Sequence, residues 1–430
     1  VSSKTYCLFP FTNLNSNTEG SVKLCCSINE NIHATDSNDN ELNFGTHSVE
    51  DIWNSQYMKD IRKQMLNGER PKACDVCWKL EDSGIQSSRQ SAFGELKAWA
   101  MPKEYQTINP PLPQSLELRL GNFCNLRCNS CWSLSSDRVA EERRRIQLND
   151  DIMPFWLRKE WDHELDLENQ ANWRWWESDE FVDSIKKLAP TLKRLYLTGG
   201  EPTLIKRNIE IMQMILDAGN TNCYIALTTN LTQWNDVFYN TMTRFDHGEI
   251  QISIDHVHDK NEYIRYPTKW ESIEKNVIRL YDKFPQSWKI KHYTVFQTYN
   301  YDAIPDVLDW VHNHRSWYDS KEKNRLYIWS PIMLDSPSYL DVRIIQPEVR
   351  QRTIEKLKAY EPSHQVPNIW WQHGVEQAIK RLEDNSLSEE YCTDQRQRFR
   401  EFNDTMDRQR NTQWYSTFHN LAFEVLNNGG

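Results

Sequence analysis

The sequence predicts an α/β protein centred on a partial parallel barrel of the (β/α)6 kind. Two observations lead there. Between residues 114 and 345, six short apolar runs alternate with helical patterns, and such alternation implies βαβ units on a parallel sheet. Six units suit an open or partial barrel better than a closed eight-fold one. Three cysteines also follow the first run, in the loop position at the C-terminal end of a parallel strand where such folds place chemistry.

The strand candidates are Ser115–Leu120, Lys193–Leu197, Tyr224–Thr229, Glu249–Asp255, Lys289–Phe296 and Leu326–Ile332. Helical patterns between them cover Phe181–Leu188, Ile205–Ala218, Trp270–Phe284 and Ile304–His314. An insertion near 146–178, holding Trp156, Trp161, Trp173, Trp175 and Trp176, interrupts the first crossover. Its acidic neighbours Glu164, Asp166 and Glu168 repel phosphates, so these rings read as packing rather than as a base-stacking platform. Trp370-Trp371 reads as helix packing too.

Three units result: an N-terminal module over 1–112, the barrel over 113–345, and a helical region over 346–430 with segments Glu348–Tyr360, Gly374–Leu382 and Asp394–Arg408. Within the first, Asn29–Asn43 is a polar loop, Ser48–Leu66 a helix capped by Ser48 and ended by Gly68, and Asn109–Pro113 a proline-rich linker.

The chain has 430 residues with 51 basic and 61 acidic side chains, a net charge of −10. That balance argues against a protein built to coat nucleic acid, and 18 Trp with 18 Tyr supply a large core. No apolar run approaches the ~18–20 residues of a membrane span, and the first twenty residues carry no signal-type stretch. A cytoplasmic protein is expected. In a reducing compartment its ten cysteines point to metal or redox work rather than disulfides.

Cys124-Asn-Leu-Arg-Cys128-Asn-Ser-Cys131 puts three thiols in one loop. Structural zinc sites usually take four ligands in two close pairs, and a cubane iron–sulfur cluster normally takes four thiolates. Three thiolates would leave one iron open for a cofactor. The pattern resembles the radical S-adenosylmethionine (SAM) superfamily, whose signature is Cys-x3-Cys-x2-Cys after the first strand of a partial (β/α)6 barrel. The resemblance implies that Cys124, Cys128 and Cys131 hold a 4Fe–4S cluster whose open iron binds SAM and cleaves it to a 5′-deoxyadenosyl radical. Ser130 departs from the large residue the family often has before its third cysteine, and Trp132 follows instead.

Further motifs extend the resemblance. Gly199-Gly200-Glu201, after a strand, matches the family's Gly-Gly-Glu that meets the SAM amino group. Thr228-Thr229-Asn230 resembles its Thr-Asn, and a polar strand end is the other reading of Asn230. In Gln251-Ile-Ser253-Ile-Asp255 the polar residues share one face. Buried there without partners they cost roughly 1–3 kcal/mol each, which a hydroxylated ligand would relieve. Ser253 and Asp255 resemble the family's Ser-x-Asp near SAM. Arg265 resembles an arginine that pairs with the SAM carboxylate, with a solvated surface arginine as the alternative. His256, His258 and Asp259 are either a surface loop or substrate-facing acid/base groups.

A second group comprises Cys7, the Gly20-x4-Cys25-Cys26 run and Cys74-Asp-Val-Cys77. Cys7, Cys25, Cys74 and Cys77 make four thiolates, a count that fits zinc or a 4Fe–4S cluster equally, and Cys26 could replace Cys25. The pattern resembles SPASM and twitch domains, which carry auxiliary clusters. Here it precedes the barrel, whereas those families usually place it after. Ile52-Trp53-Asn54, Asn67-Gly68-Glu69-Arg70, Ser88-Arg89-Gln90 and Met406-Asp407-Arg408-Gln409-Arg410 resemble a twitch-type subgroup. Cys223 reads as a small buried apolar residue and Cys392 as a spare thiol.

The expected activity is reductive cleavage of SAM and hydrogen abstraction from a substrate, first a ribosomally made peptide, then a small molecule, sugar or nucleotide, with a nucleic-acid base last. The expected partners are an external electron donor such as flavodoxin or ferredoxin and that substrate, with no membrane. A zinc-stabilised binding protein is the alternative of another class.

Overall fold

The computed structural model describes residues 5–28, 32–83, 87–90, 103–316, 327–361 and 371–422. Leu326, Trp370 and the first three residues of the Asn29–Asn43 loop lie outside them. The chain is α/β and divides into two compact units. One comprises Val1–Phe123, Ala171–Leu227 and Asn235–Gly248, the other Cys124–Gln170, Thr228–Trp234 and Glu249–Gly430.

In the first unit the hairpin of β1 (Asn13–Ser16) and β2 (Val22–Lys23) is antiparallel. β1 then pairs in parallel with β3 (Ser115–Arg119), β3 with β4 (Arg194–Thr198), and β4 with β5 (Tyr224–Thr229). Leu116, Leu118, Leu195, Leu197, Ile225 and Leu227 are fully buried. The parallel register sets them on one face as period two requires. Helices Asp179–Leu188 and Lys206–Asp217 bury Phe181, Ile185, Leu188, Ile211, Met212 and Ile215.

The single helix expected over Ser48–Leu66 is two, Val49–Trp53 and Gln56–Leu66. Ser48 caps the first by accepting from Asp51 N, but Ser55 caps a second by accepting from Met58 N. A second N-cap inside the apolar pattern restarts the helix. The proline-rich segment is packed rather than a free linker, because the Trp53 indole donates to Pro111 O at 2.8 Å.

The second unit holds β6 (Gly248–Ser253), β7 (Trp288–Phe296) and β8 (Tyr327–Met333), with β7 and β8 parallel over seven residues. Ile250, Ile252 and Ile254 are fully buried, and helix Trp270–Lys283 buries Ile273, Val277 and Leu280. The insertion is helical over Phe155–Gln170, with Trp161 fully buried under the Arg143 guanidinium at 5.1 Å. Trp175 and Trp176 are buried as well, in the first unit. The acidic neighbours Glu164 and Glu168 pair with Arg143 and Arg144. The C-terminal helix runs over Glu389–Arg410, longer at both ends than the sequence pattern, since Ser388 caps it and Asn411 closes it in the left-handed region. No described helix is long and apolar enough to cross a membrane.

Candidate functional site: two cysteine centres

The loop of Cys124, Cys128 and Cys131 has no secondary structure of its own and is held by its surroundings. Cys124 N donates to Asp137 Oδ1 at 3.0 Å, Arg127 N to Tyr266 O at 2.6 Å, and Asn129 N to Ile264 O at 2.9 Å. Ser136 Oγ reaches Leu126 O at 2.8 Å, and Arg143 Nη2 reaches Cys131 O at 3.0 Å. These are the helix Asp137–Asn149 on one side and the end of His258–Ile264 on the other. The three thiols are half-buried.

Burial pushes the Cys128 thiol above its ordinary value, against the pull of Arg265. Cys131 rises to about 12, from burial and then from Cys128. Thiols crowded in this way become thiolates readily when iron supplies positive charge, so the donor set fits a cluster.

Asp255 and Arg265 form one buried pair, with Arg265 Nε 2.8 Å from Asp255 Oδ2 and Asp255 Oδ1 accepting from Val295 N at 2.8 Å. Arg265 is therefore no solvated surface residue. Its guanidinium acts on Cys128 and Cys131, while the fully buried Asp255 holds it there. Asn230 ties to the cysteine loop by donating to Asn125 Oδ1 at 2.9 Å, and Asn125 Nδ2 returns to Thr232 Oγ1 at 2.8 Å.

The polar row on β6 finds partners inside the protein. Thr228 Oγ1 donates to Gln251 Oε1 at 2.7 Å, Gln251 Nε2 to Glu249 Oε1 at 2.7 Å, and Lys291 Nζ lies 2.6 Å from Glu249 Oε2. No ligand is needed to satisfy Gln251, while Ser253 is half-buried. His256 is buried and its Nδ1 accepts from Val257 N, whereas His258 and Asp259 are exposed.

In the first unit, Gly199 has φ +116°, where an L side chain is strained. A Cβ on Gly200 would lie 2.1 Å from Phe123 O. Glu201 N donates to that same carbonyl at 2.7 Å, and its carboxylate turns back to Thr203 N and Oγ1. The Gly-Gly-Glu turn thus grips the residue that precedes Cys124 in sequence.

The second centre is also in the first unit. Cys7, Cys25, Cys74 and Cys77 line one cavity with Leu24, Ile28 and Arg89. Burial raises Cys7 and Cys25, and takes Cys74 to about 12. Cys26 is not among the lining residues. Glu117, then burial, pushes its thiol to about 12, with Arg119 and Arg194 opposing. Four thiols around one cavity, Cys7 and Cys77 buried and Cys25 and Cys74 half-buried, suit a cluster. Among the described residues no group of three or more His, Cys, Asp or Glu is placed to hold a single metal ion. Cys223 and Cys392 are buried and, like all ten cysteines, free of disulfides.

Sequence reasoning gave no role to the buried partners of the first loop. Arg410 donates to Asn129 Oδ1 and Arg127 O and pairs with Glu142. Asn129 also donates to Tyr299 Oη at 3.1 Å, which in turn donates to Asn403 Oδ1 at 2.5 Å. The available signal was charge at core-facing positions of the C-terminal helix.

A sequence model of the radical SAM superfamily matches residues 118–311, and one for an iron–sulfur cluster-binding domain, SPASM, matches residues 7–78. No curated protein matches the chain. Similar solved structures include native anSMEcpe with bound AdoMet and Cp18Cys peptide, at 13% identity and TM-score 0.32, over 61% of this chain and 61% of that one. The chain so spans under two thirds of anSMEcpe. Another is SuiB of Streptococcus suis, at 12% identity and TM-score 0.35, over 83% of this chain and 72% of that one.

Proposed function

Since the chain belongs to the radical SAM superfamily and carries a SPASM iron–sulfur cluster-binding domain ahead of its radical SAM domain, we propose that it cleaves SAM reductively and abstracts hydrogen from a ribosomally made peptide. The observation that carries the reading is the loop of Cys124, Cys128 and Cys131, whose backbone is held by Ile264 O and Tyr266 O on either side of Arg265.

Cys124, Cys128 and Cys131 would hold a 4Fe–4S cluster with one iron free of cysteine, which would supply the chelation of SAM and the electron for breaking its S–C5′ bond. The chain's residues do the binding and orienting. Arg265, fixed by Asp255, pairs with the SAM carboxylate. Gly199 and Gly200 let the backbone come close, and Glu201 meets the amino group. Asn230 and Ser253 complete the SAM contacts, Asn230 from a position tied to the cysteine loop.

Cys7, Cys25, Cys74 and Cys77 would hold the auxiliary cluster. Four cysteines leave it no open iron, so it relays an electron or stiffens its module instead of chelating substrate. A peptide substrate rests on the resemblance, since peptide modification is common among enzymes that join such a module to this barrel. An external donor such as flavodoxin or ferredoxin supplies the electron.

Anaerobic reconstitution should give a brown protein with ~8 irons per chain, two cubane clusters. With dithionite and SAM it should release 5′-deoxyadenosine. A deuterated candidate peptide encoded beside the gene should pass deuterium into that product. A colourless zinc protein that leaves SAM intact sinks the chemistry. Deuterium transfer from a small molecule but from no peptide sinks the substrate class.

A further inference from the structure

Arg89 stands at the four-thiol cavity as a fixed cation. It lines the cavity with Cys7, Cys25, Cys74 and Cys77, while its counter-ion Glu81 is not among the lining residues. Arg89 is 7% exposed, and every side of its guanidinium is engaged. Nη1 donates to Tyr6 O at 2.8 Å, Nε donates to Glu81 Oε1 at 2.9 Å, and Nη2 pairs with Glu81 Oε2. The ring of Trp78 lies 5.0 Å from its central carbon. Glu81 is pinned in turn by Ser87 Oγ at 2.5 Å. The pair is a buried dipole whose positive end reaches the cavity.

A four-thiolate cluster is anionic in both oxidation states, and reduction adds one more negative charge. Its potential follows net charge, hydrogen bonding and exposure. A cation held beside it favours the reduced form, and an anion behind that cation weakens the effect.

We propose that Arg89 is a positioning residue that raises the reduction potential of the auxiliary cluster, with Glu81 as the opposing charge that sets how far. The inference rests on the four-cysteine reading above. It gives the module a built-in bias toward accepting an electron, which a merely structural cluster does not need.

The test uses the full chain with C124A, C128A and C131A, so that one centre remains, reconstituted anaerobically and titrated potentiometrically by EPR. The parent should hold about four irons. R89Q should lower the potential enough to change the reduced-to-oxidised ratio about tenfold at fixed poise, ~59 mV for one electron. E81Q should raise it, and R89K should stay near the parent. Opposite signs for R89Q and E81Q with iron retained support the inference. A common direction, or no shift in either, overturns it. If R89Q loses its iron, the rise expected of E81Q still carries the sign test, and a displaced potential in R89K overturns the inference. A parent without iron, or holding zinc, overturns the four-cysteine reading and the inference with it.

Discussion

Arg410 Nη1 donates to Asn129 Oδ1 at 2.6 Å, joining residues 281 apart in sequence. The same guanidinium reaches Arg127 O at 2.7 Å and Glu142 Oε2 at 2.7 Å, and both charged side chains are nearly inaccessible. The last residue of the C-terminal helix is therefore a strut for the loop that carries Cys128. Two of its five donors go to that loop and two to a carboxylate on the helix that caps it.

R410A should be costly, because it leaves Glu142 buried without its main counter-charge. Removing one partner of a buried pair costs ~3–5 kcal/mol, read by urea unfolding of the metal-free chain. R410K keeps the charge but loses the fork geometry. It should retain more stability than R410A and yet show lower iron retention at the first centre. Stability of R410A equal to the parent would remove the strut from the account.

G200A should disable SAM cleavage without unfolding the chain. A methyl 2.1 Å from Phe123 O forces the turn and the backbone before Cys124 apart. Displacements of ~1 Å cost on the order of 100-fold in such geometry. The assay is 5′-deoxyadenosine release by protein matched for iron content. A variant with parental turnover would show that this close approach is incidental.

Much of this was legible in the chain. The six strands sit within two residues of the apolar runs, since period two and parallel pairing leave little freedom. The cysteine loop was legible because its spacing is short-range. The role of Asp255 was not. Alternation placed it on the polar face, but its full burial and its pairing with Arg265 depend on β7 and the helix that follows β6. Gln251 likewise reads as awaiting a ligand until Thr228 and Glu249 are folded beside it. Asn129 and Arg410 meet across most of the chain, a distance that no local pattern encodes.

The adjacent pair Cys25 and Cys26 is a direct probe of the second centre. Cys25 lines the cavity with three other cysteines, while Cys26 lies under the influence of Glu117, Arg119 and Arg194. C25A should lower the iron content from ~8 to ~4 per chain, and C26A should leave it at ~8. Metal analysis with Mössbauer spectroscopy reads both. The reverse pattern would transfer the ligand role to Cys26.

His256 makes the fold sensitive to acid. Burial, then Lys260, lowers its folded-state pKa to about 3 from the ordinary value of 6.5, and the ring stays a neutral acceptor for Val257 N at 2.8 Å. The unfolded chain binds a proton to this ring below about pH 6.5, whereas the folded chain does so only near pH 3. Its contribution to stability is thus fully present above the unfolded value and drains away as pH falls toward the folded one. One pKa unit corresponds to ~1.4 kcal/mol, so roughly 2–3 kcal/mol should be lost between about pH 6.5 and 4.5 through this residue. H256N keeps a side-chain acceptor for Val257 N but does not titrate. It should flatten the fall in unfolding free energy across that window relative to the parent, with little change near pH 8. Parallel curves for the two proteins would mean that the buried imidazole is not the group through which acid acts.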